Sequence, residues 1–556
     1  MDKIKIFALG GLDEDGKNCL IVNINDDLFV IDCGIKYPDK TMPGIDNVIP
    51  NFDYLKERKD HVKAYFLLHG HDDEMGALAY LYKDVPAPVY GSLVTISMFK
   101  IFSKHVNVDP NQYDFHVVEA TSSFVVAGRK IAYFRTAHNI AQSSGIAITT
   151  DQGNVIFTSD FVVENNANPN YLHDMNAIAK IAEIPTLVLL TESVYAAHSG
   201  YTAPDYKLTP LIEQTVKDAA GRVFIALFSA NFYNIDEVIS LAISTRKKIV
   251  PYDEETADTI ASMQSCGQLL IPRDNYASME DLNRLRAQDI IVLMLGYGVK
   301  LYHKIALLAA GQNEGRQVLL NPLDTFVVAC PSNDNTEIEA TDALDQLYRS
   351  GCIVYNIPKK KFLKMHASEE DLKMMVALLK PRYYIPVKGF YKDLLANAEV
   401  ALSMGINLNH NNVFLLENGL SAIFDQSGAH IFDEKITHGD IMIDGIGVGD
   451  VGEQVIDDRE KLSQGVVILA VTVSKSKHQI IAGPDVQIRG LVFIKDSDAI
   501  LRDVSKIFLT TMQEELSGAN YDIERMRSDV YDKCLRAIRR QTGKEPMVLP
   551  LIIEVA

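Results

Sequence analysis

Cysteine is scarce in this chain: six residues in 556, at Cys19, Cys33, Cys266, Cys330, Cys352 and Cys534, with no C-x-x-C pair among them. That spacing excludes a disulfide framework and a thiolate zinc site, and reads the six as small buried hydrophobes. Long apolar runs are missing too. Nothing approaches the roughly 18 to 20 residues that span a bilayer, and Met1-Asp2-Lys3-Ile4 lacks the apolar segment of a signal peptide, so a soluble cytoplasmic protein with no membrane partner is expected. Positive charge is in deficit, with a formal net charge of −19. Affinity for polyphosphate comes largely from Lys and Arg, so this balance argues against a chain that coats nucleic acid non-specifically. It leaves room for a local basic channel. Two clusters are candidates, Arg246-Lys247-Lys248 and Lys359-Lys360-Lys361 with Lys364, and each reads equally as a solvated face. Hydrophobic residues are plentiful at 47 %, enough for several packed domains at this length.

The chain is organised around His69-Gly70-His71-Asp72-Asp73-Glu74, which follows the apolar run Ala64-Tyr65-Phe66-Leu67-Leu68. A buried strand that ends in His-x-His-x-Asp sets two imidazoles and a carboxylate on a loop, where borderline metals such as Zn or Mn find nitrogen and oxygen ligands. Two further strands close on polar residues, Phe134-Arg135-Thr136-Ala137-His138 and Val155-Ile156-Phe157-Thr158-Ser159-Asp160. Either residue alone reads as a satisfied polar group. Taken with the first pair, His69, His71, His138 and Asp160 are the number and type of ligands that one tetrahedral or five-coordinate cation needs.

From Lys3 to about Asp160 short β-rich runs alternate with Gly and Asp turns, and the stretch from Met75 to Tyr82 reads as a helix, which together predict a layered α/β domain. Asp32, before Cys33-Gly34, fits a functional carboxylate and a turn-forming one equally. Between about Leu187 and Gly351 apolar strands alternate with helical stretches: Leu187-Val188-Leu189-Leu190, Val223 to Leu227 with a helix from Ile235, and Ile290 to Met294. This pattern predicts βαβ units around a parallel sheet, inserted in the first domain, which resumes near Tyr383-Tyr384-Ile385-Pro386-Val387. The Gly- and Asp-rich passage Ile441 to Gly452 reads as a connector. Beyond it Val466 to Val471, helices near Val504 to Leu516 and Ile523 to Arg540, and Val548 to Ile553 predict a small α+β unit for assembly or RNA contact.

With these pieces in view the chain resembles the ribonuclease J family, in the β-CASP branch of the metallo-β-lactamase superfamily, over essentially its full length. The strings that carry the likeness are Ala8-Leu9-Gly10-Gly11 with Gly16-Lys17-Asn18, Gly44-Ile45-Asp46 to Ile49-Pro50, and Gly483-Pro484-Asp485 with Arg489-Gly490. The resemblance implies an α/β fold: a metallo-β-lactamase αββα sandwich over residues 1–200 and 355–440, an inserted β-CASP parallel-sheet domain over 201–354, a linker over 441–456 and a C-terminal oligomerisation domain over 457–556. It also implies 5′-to-3′ exonucleolytic and endonucleolytic cleavage of RNA with two metal ions, in rRNA processing and mRNA decay. The implied partners are RNA, an active ribonuclease J paralogue in a homo- or hetero-oligomer, and an RNA degradosome.

Carried over position by position, the first metal's ligands are intact as His69, His71, His138 and Asp160, so Zn or Mn is expected there. For the second metal the family uses the motif's Asp, the His after it, the shared Asp and the His of a Pro-Val-His-Gly turn; here these are Asp73, Glu74, Asp160 and Lys388. Glu74 still offers oxygens, but a charged ammonium has no lone pair, so Lys388 cannot coordinate. The expectation is that Lys388 occupies the region of the second cation and pairs with Glu74, Asp73 or both. The family's phosphate-gripping loop has become Phe362-Leu363-Lys364-Met365-His366-Ala367-Ser368, keeping His366 and Ser368, while Lys364 and Met365 line the same substrate-binding stretch. Lys364 offers a point charge without a guanidinium's bidentate grip. The family's Ser-Asn-x-x-Arg has become Ala230-Asn231-Phe232-Tyr233-Asn234, where Phe232 and Tyr233 read as base-stacking or core residues. Asp73, His366 and Glu192, at the acidic β-CASP position, are the expected catalytic residues. Loss of half a two-metal centre predicts a weak or inactive member, most similar to the degenerate second paralogue of Gram-positive bacteria, that binds RNA as a partner subunit. The alternatives are an active single-metal ribonuclease and, against the βαβ insertion, a small-molecule hydrolase.

Overall fold

The computed structural model describes residues 1–39, 41–119, 121–164, 168–312, 318–332, 336–432, 436–445, 447–491, 494–517 and 521–556. The chain divides into two units, Met1–Tyr37 with Asn47–Ile441, and Pro38–Asp46 with Met442–Ala556.

In the first unit two sheets face each other. One has eight strands in the order Gly428–Phe432, Ser421–Asp425, Ile4–Gly10, Cys19–Ile24, Asp27–Ile31, Val62–Phe66, Val89–Gly91 and Phe115–Val117. The other has six, in the order Tyr383–Val387, Thr186–Glu192, Gly153–Phe157, Ser144–Thr150, Arg129–Arg135 and Ser123–Val126. Alternate residues of the facing strands, such as Ile6, Val22, Phe29 and Phe66 from one and Ile131, Ile146, Val155 and Leu187 from the other, fill a shared core. A period of two sends the remaining side chains outward. Phe134, Ala147, Ile156, Leu189 and Tyr384 thereby meet Leu372, Met375, Val376 and Leu379 of the helix Glu369–Leu379. On the outer side of the other sheet Phe7 meets Tyr54 and Tyr65 meets Tyr82. The result is the αββα sandwich.

Inserted between the strands Thr186–Glu192 and Tyr383–Val387 is a five-stranded parallel sheet, in the order Lys248–Pro251, Ile290–Gly296, Val223–Phe228, Thr325–Val328 and Ile353–Asn356. One face packs on helices Thr209–Asp218, Phe232–Ser244 and Glu254–Ser265, the other on Gly298–Ala309 and Glu337–Ser350. Strands buried on both faces read as continuous apolar runs. That is why Leu187 to Leu190 misleads on pattern alone, which groups it with the insert's strands: it pairs parallel with Gly153–Phe157 and Tyr383–Val387 inside the sandwich, where the family bounds of 1–200 put it.

The second unit holds the sheet Gln479–Arg489, Val466–Ser474, Met547–Val555, covered by the helices Ile494–Leu516 and Ile523–Thr542 through Val467, Leu469, Val504, Phe508, Val530 and Ile538. The stretch expected as a connector carries strands Asp440–Asp444 and Gly447–Val448.

The helix expected from Met75 to Tyr82 is two short ones, Asp72–Met75 and Leu78–Leu81. The carbonyl of Cys33 causes the break, because it accepts from Ala77 N (2.9 Å) and Leu78 N (3.2 Å) and so takes donors that a continuous helix would use. The same segment clamps the loop further, with Cys33 N donating to Glu74 O at 2.6 Å and Ile35 N to Asp72 O at 3.0 Å. Gly34 sits between these bonds. A Cβ on it would lie 1.5 Å from the Asp73 carbonyl oxygen, so no side chain fits. Gly34→Ala is expected to cost about 3 kcal/mol or more in urea unfolding; a loss under about 0.5 kcal/mol, the range of neutral surface changes, would contradict this packing.

Candidate metal centre

Each donor of the expected first-metal set stands at the end of a strand of the sandwich. His69 and His71 follow Val62–Phe66, His138 follows Arg129–Arg135, and Asp160 follows Gly153–Phe157. Their donor atoms all lie within 4.8 Å of one another. His69 Nε2 is 3.1 Å from His71 Nδ1, His138 Nε2 is 3.4 Å from the same atom, and Asp160 Oδ2 is 3.6 Å from both His69 Nε2 and His138 Nε2. A tetrahedral cation bound at roughly 2.0–2.1 Å holds its ligands about 3.3 to 3.4 Å apart. The donors fit such an ion.

The atoms behind the donors agree. His138 Nδ1 donates to Met365 O at 2.7 Å and His71 Nε2 to Ala230 O at 3.3 Å. A carbonyl only accepts, so these nitrogens carry the protons and the converging Nε2 of His138 and Nδ1 of His71 keep free lone pairs. His69 Nδ1 lies 3.2 Å from Ser159 Oγ. Burial drives the pKa values of His69 and His138 well below the ordinary imidazole value, which keeps both rings neutral and able to coordinate. Sequence reasoning missed Ser159, which stands beside Asp160 with no motif of its own, and the carbonyls of Ala230 and Met365, since a backbone acceptor leaves no mark in residue type.

The expected second-metal positions are occupied differently. The strand Tyr383–Val387 ends in a turn whose Gly389 carbonyl accepts from Glu14 N at 3.3 Å, and Lys388 takes a left-handed backbone there, φ +63°. Its ammonium reaches inward and donates to Glu74 Oε1 and Asp160 Oδ1. The pairing with Glu74 is as expected; the second partner is Asp160, and Asp73 is not one. Consecutive residues on a helix diverge by about 100°. Glu74 is therefore fully buried toward Lys388, while Asp73 is part-exposed, touches Asn18 Nδ2 at 3.4 Å and stands outside the four-donor group. Asn18 Nδ2 also donates to Glu74 Oε1 at 3.0 Å, fixing that carboxylate. Burial opposes the charge on Lys388, but Asp160 and Glu74 overcome it and hold its pKa well above the ordinary value. Burial also opposes the Asp160 anion, yet Lys388 and the surrounding histidines keep its pKa well below the usual range. Glu74, the second carboxylate on a single cation, is pushed up by burial. Asp32 is close by: its Oδ1 accepts from Leu68 N at 2.9 Å, a bond across to the His69 strand rather than a local turn, and burial raises its pKa to about 7.

A second group, Asp160, Glu192 and His366, adjoins the first. Glu192 is fully buried and accepts from Phe161 N (2.7 Å), Ala367 N (3.1 Å) and His366 Nδ1 (2.6 Å). It therefore positions His366 rather than facing a substrate. Burial works against the charged ring, but Glu192 wins and raises the His366 pKa.

The remaining expected substrate residues divide. Lys364 is exposed. Ser368 is buried, with its hydroxyl 2.6 Å from Thr202 Oγ1 and its N–H on Asp371 at 3.0 Å, so it anchors a helix start instead of a phosphate. Met365 has a buried side chain and contributes the carbonyl that holds His138. Asn231 caps the helix Phe232–Ser244 by accepting from Asn234 N. Phe232 packs in the insert's core at 3 % exposure, and Tyr233, at 6 %, packs edge-on against Tyr171 and Tyr206. Neither ring offers a face to a base.

Comparison with known proteins bears on what this centre belongs to. The family described as Ribonuclease J, beta-CASP domain matches residues 220–344, and Ribonuclease J C-terminal domain matches residues 454–555. The chain is 33 % identical to Ribonuclease J 2 of Streptococcus pyogenes serotype M3, with 100 % of both chains covered. It is 31 % identical to Ribonuclease J2 of Bacillus subtilis, over 100 % of this chain and 99 % of that one. A crystal structure of a protein of unknown function from Enterococcus faecalis V583 shares the fold over 76 % of this chain and 100 % of its own, with a TM-score of 0.51 at 13 % identity.

The ion pairs of Lys388 make a stability prediction. Its pKa is raised on folding, so the stabilisation is complete below the unfolded value and is lost only as pH rises through the folded one. Lys388→Met leaves Asp160 and Glu74 buried without a cation, which typically costs about 3–5 kcal/mol. Urea unfolding of the metal-free protein should show that loss at about pH 7.5. The deficit should shrink toward about pH 5 as the stranded carboxylates take up protons. Equal stability of variant and wild type at the higher pH would contradict the pairing.

Proposed function

We propose that this chain, which belongs to the ribonuclease J family, is an RNA-binding, catalytically weak subunit of RNA processing that works beside an active family member. The observation that carries the reading is the Lys388 ammonium between Glu74 and Asp160. A fixed positive charge there repels a second dication, and an ammonium supplies no lone pair in its place.

Bound by the four donors, a zinc or manganese ion would supply a Lewis acid and a water of lowered pKa. The chain's own groups do the rest. His71 and His138 are held in the coordinating tautomer by the carbonyls of Ala230 and Met365. His366, with Nδ1 given to Glu192, keeps Nε2 for a proton at the leaving oxygen of a phosphodiester. What is missing is a second positive centre to clamp the phosphate and stabilise the departing oxygen. Losing one such stabiliser typically slows a reaction by about 10²- to 10³-fold.

Association is supported by the second unit. In the strand Met547–Val555 the side chains of Leu549, Leu551, Ile553 and Val555 alternate with the buried Val548 and Ile552 and stand 39–56 % exposed. An apolar face of this kind suits a subunit contact. No helix among the described residues is long and apolar enough to cross a membrane. The six cysteines are free and buried, which suits the reducing cytoplasm.

The intact four-donor set favours a second reading, a ribonuclease that runs on one metal. One assay separates the two: 5′-monophosphorylated RNA with Mn, using the wild type and the double variant Glu74→His, Lys388→His. The first reading expects little cleavage by wild type and a gain on the order of 10²-fold or more in the variant. Wild-type cleavage at the rate of an active family member would overturn it in favour of the second.

A further inference from the structure

The rings that sequence reasoning offered for base stacking are buried, but two others stand open near the centre. Tyr37 is 54 % exposed and Tyr297 45 %. They come from different parts of the fold. Tyr37 follows the strand Asp27–Ile31 of the sandwich, and its hydroxyl donates to Asp72 Oδ2 at 2.6 Å, one residue past His71. Tyr297 follows Ile290–Gly296 of the inserted sheet and precedes the helix Gly298–Ala309. The Gly296 carbonyl beside it accepts from Ser229 N at 3.0 Å, and the next residue, Ala230, holds His71. The turn carrying Tyr297 thus adjoins the loop that touches the metal ligand from one side, while Asp72 ties Tyr37 to the residue after that ligand.

The two rings share a design. Burial and the field of Asp72 raise both tyrosine pKa values, while each residue stays about half open to solvent. The Tyr37 ring, tethered at its hydroxyl by Asp72 and more than half exposed, is a pre-ordered platform with little side-chain freedom left to lose on binding, and Tyr297 adds a second half-exposed ring at the end of its strand. Parallel sheets also present ligand sites at the carboxyl ends of their strands, where Tyr297 stands.

We propose that Tyr37 and Tyr297 form a stacking site for an unpaired base of RNA, beside the nucleotide whose phosphate lies at the histidines. The proposal deepens the RNA-binding reading above and rests on it. Two observations select a base over other groups. Asp72 and Asp73 repel a phosphate at this point, and aromatic faces favour the flat, uncharged part of a nucleotide. Bases inside a duplex are stacked on each other and closed to such rings, so the site selects single strands.

The test is equilibrium binding of the full-length protein to a fluorescent single-stranded oligoribonucleotide and to an abasic oligomer of the same length. Tyr37→Ala and Tyr297→Ala should each weaken binding of the first by about tenfold to a hundredfold. Binding of the abasic oligomer, and the slope of affinity against salt, should hold, because no phosphate contact is removed. Tyr37→Phe keeps the ring and should retain most of the affinity. Matching circular dichroism and melting curves establish that the variants fold. Alanine variants that bind the single strand as wild type does would overturn the stacking site and leave RNA binding standing, as would an equal loss on both oligomers. A wild-type protein that binds neither oligomer would overturn both readings.

Discussion

One ammonium orders the centre of this protein. Lys388 meets Asp160, which faces the three histidines on its other side, and Glu74, which hangs from the loop that carries two of those histidines. Remove the cation and two buried carboxylates face each other with Asp32 nearby; keep it, and Asp160 is ionised toward the histidines without a second metal. The same contact therefore holds two buried carboxylates in the fold and, under the proposed reading, governs the chemistry. A buried ion pair is weak evidence for net stability on its own. Here its consequence is positional: it fixes which oxygen of Asp160 turns to the four-donor site and which turns away.

Much of this was legible in the chain. The strand-final placement of His69, His71, His138 and Asp160 follows from apolar runs that stop at polar residues, and the loss of a nitrogen donor at Lys388 follows once the resemblance implies a histidine at that turn. Other features depend on partners far away in sequence, which no local pattern encodes. The Cys33 carbonyl that splits the helix after the His loop is one. Another is the Met365 carbonyl behind His138, where the residue was expected in the substrate-binding stretch. The choice of Glu74 over Asp73 as partner of Lys388 depends on the angle between neighbours on a single helical turn. Leu187 to Leu190 misled because a strand covered on both faces looks the same in a sandwich and in a βαβ insert.

The stacking residues show the same limit from the other direction. Phe232 and Tyr233 stand inside a recognisable family string and read as base-stacking or core residues, and a helix start buries them, which favours the core. Tyr37 and Tyr297 lie in loops far apart in the sequence that carry no motif, and only folding brings both under the field of Asp72. Exposure, not residue type, separates the two pairs. The centre that results keeps the paired histidine tautomers and the Glu192–His366 contact, while the Lys388 ammonium stands between Glu74 and Asp160.

Anomalous scattering from crystals grown with excess Mn tests this account most directly. It predicts one strong peak per chain, among His69, His71, His138 and Asp160, with continuous density for the Lys388 side chain reaching Glu74. A second peak of similar height between Glu74 and Asp160, with Lys388 turned out to solvent, would contradict it.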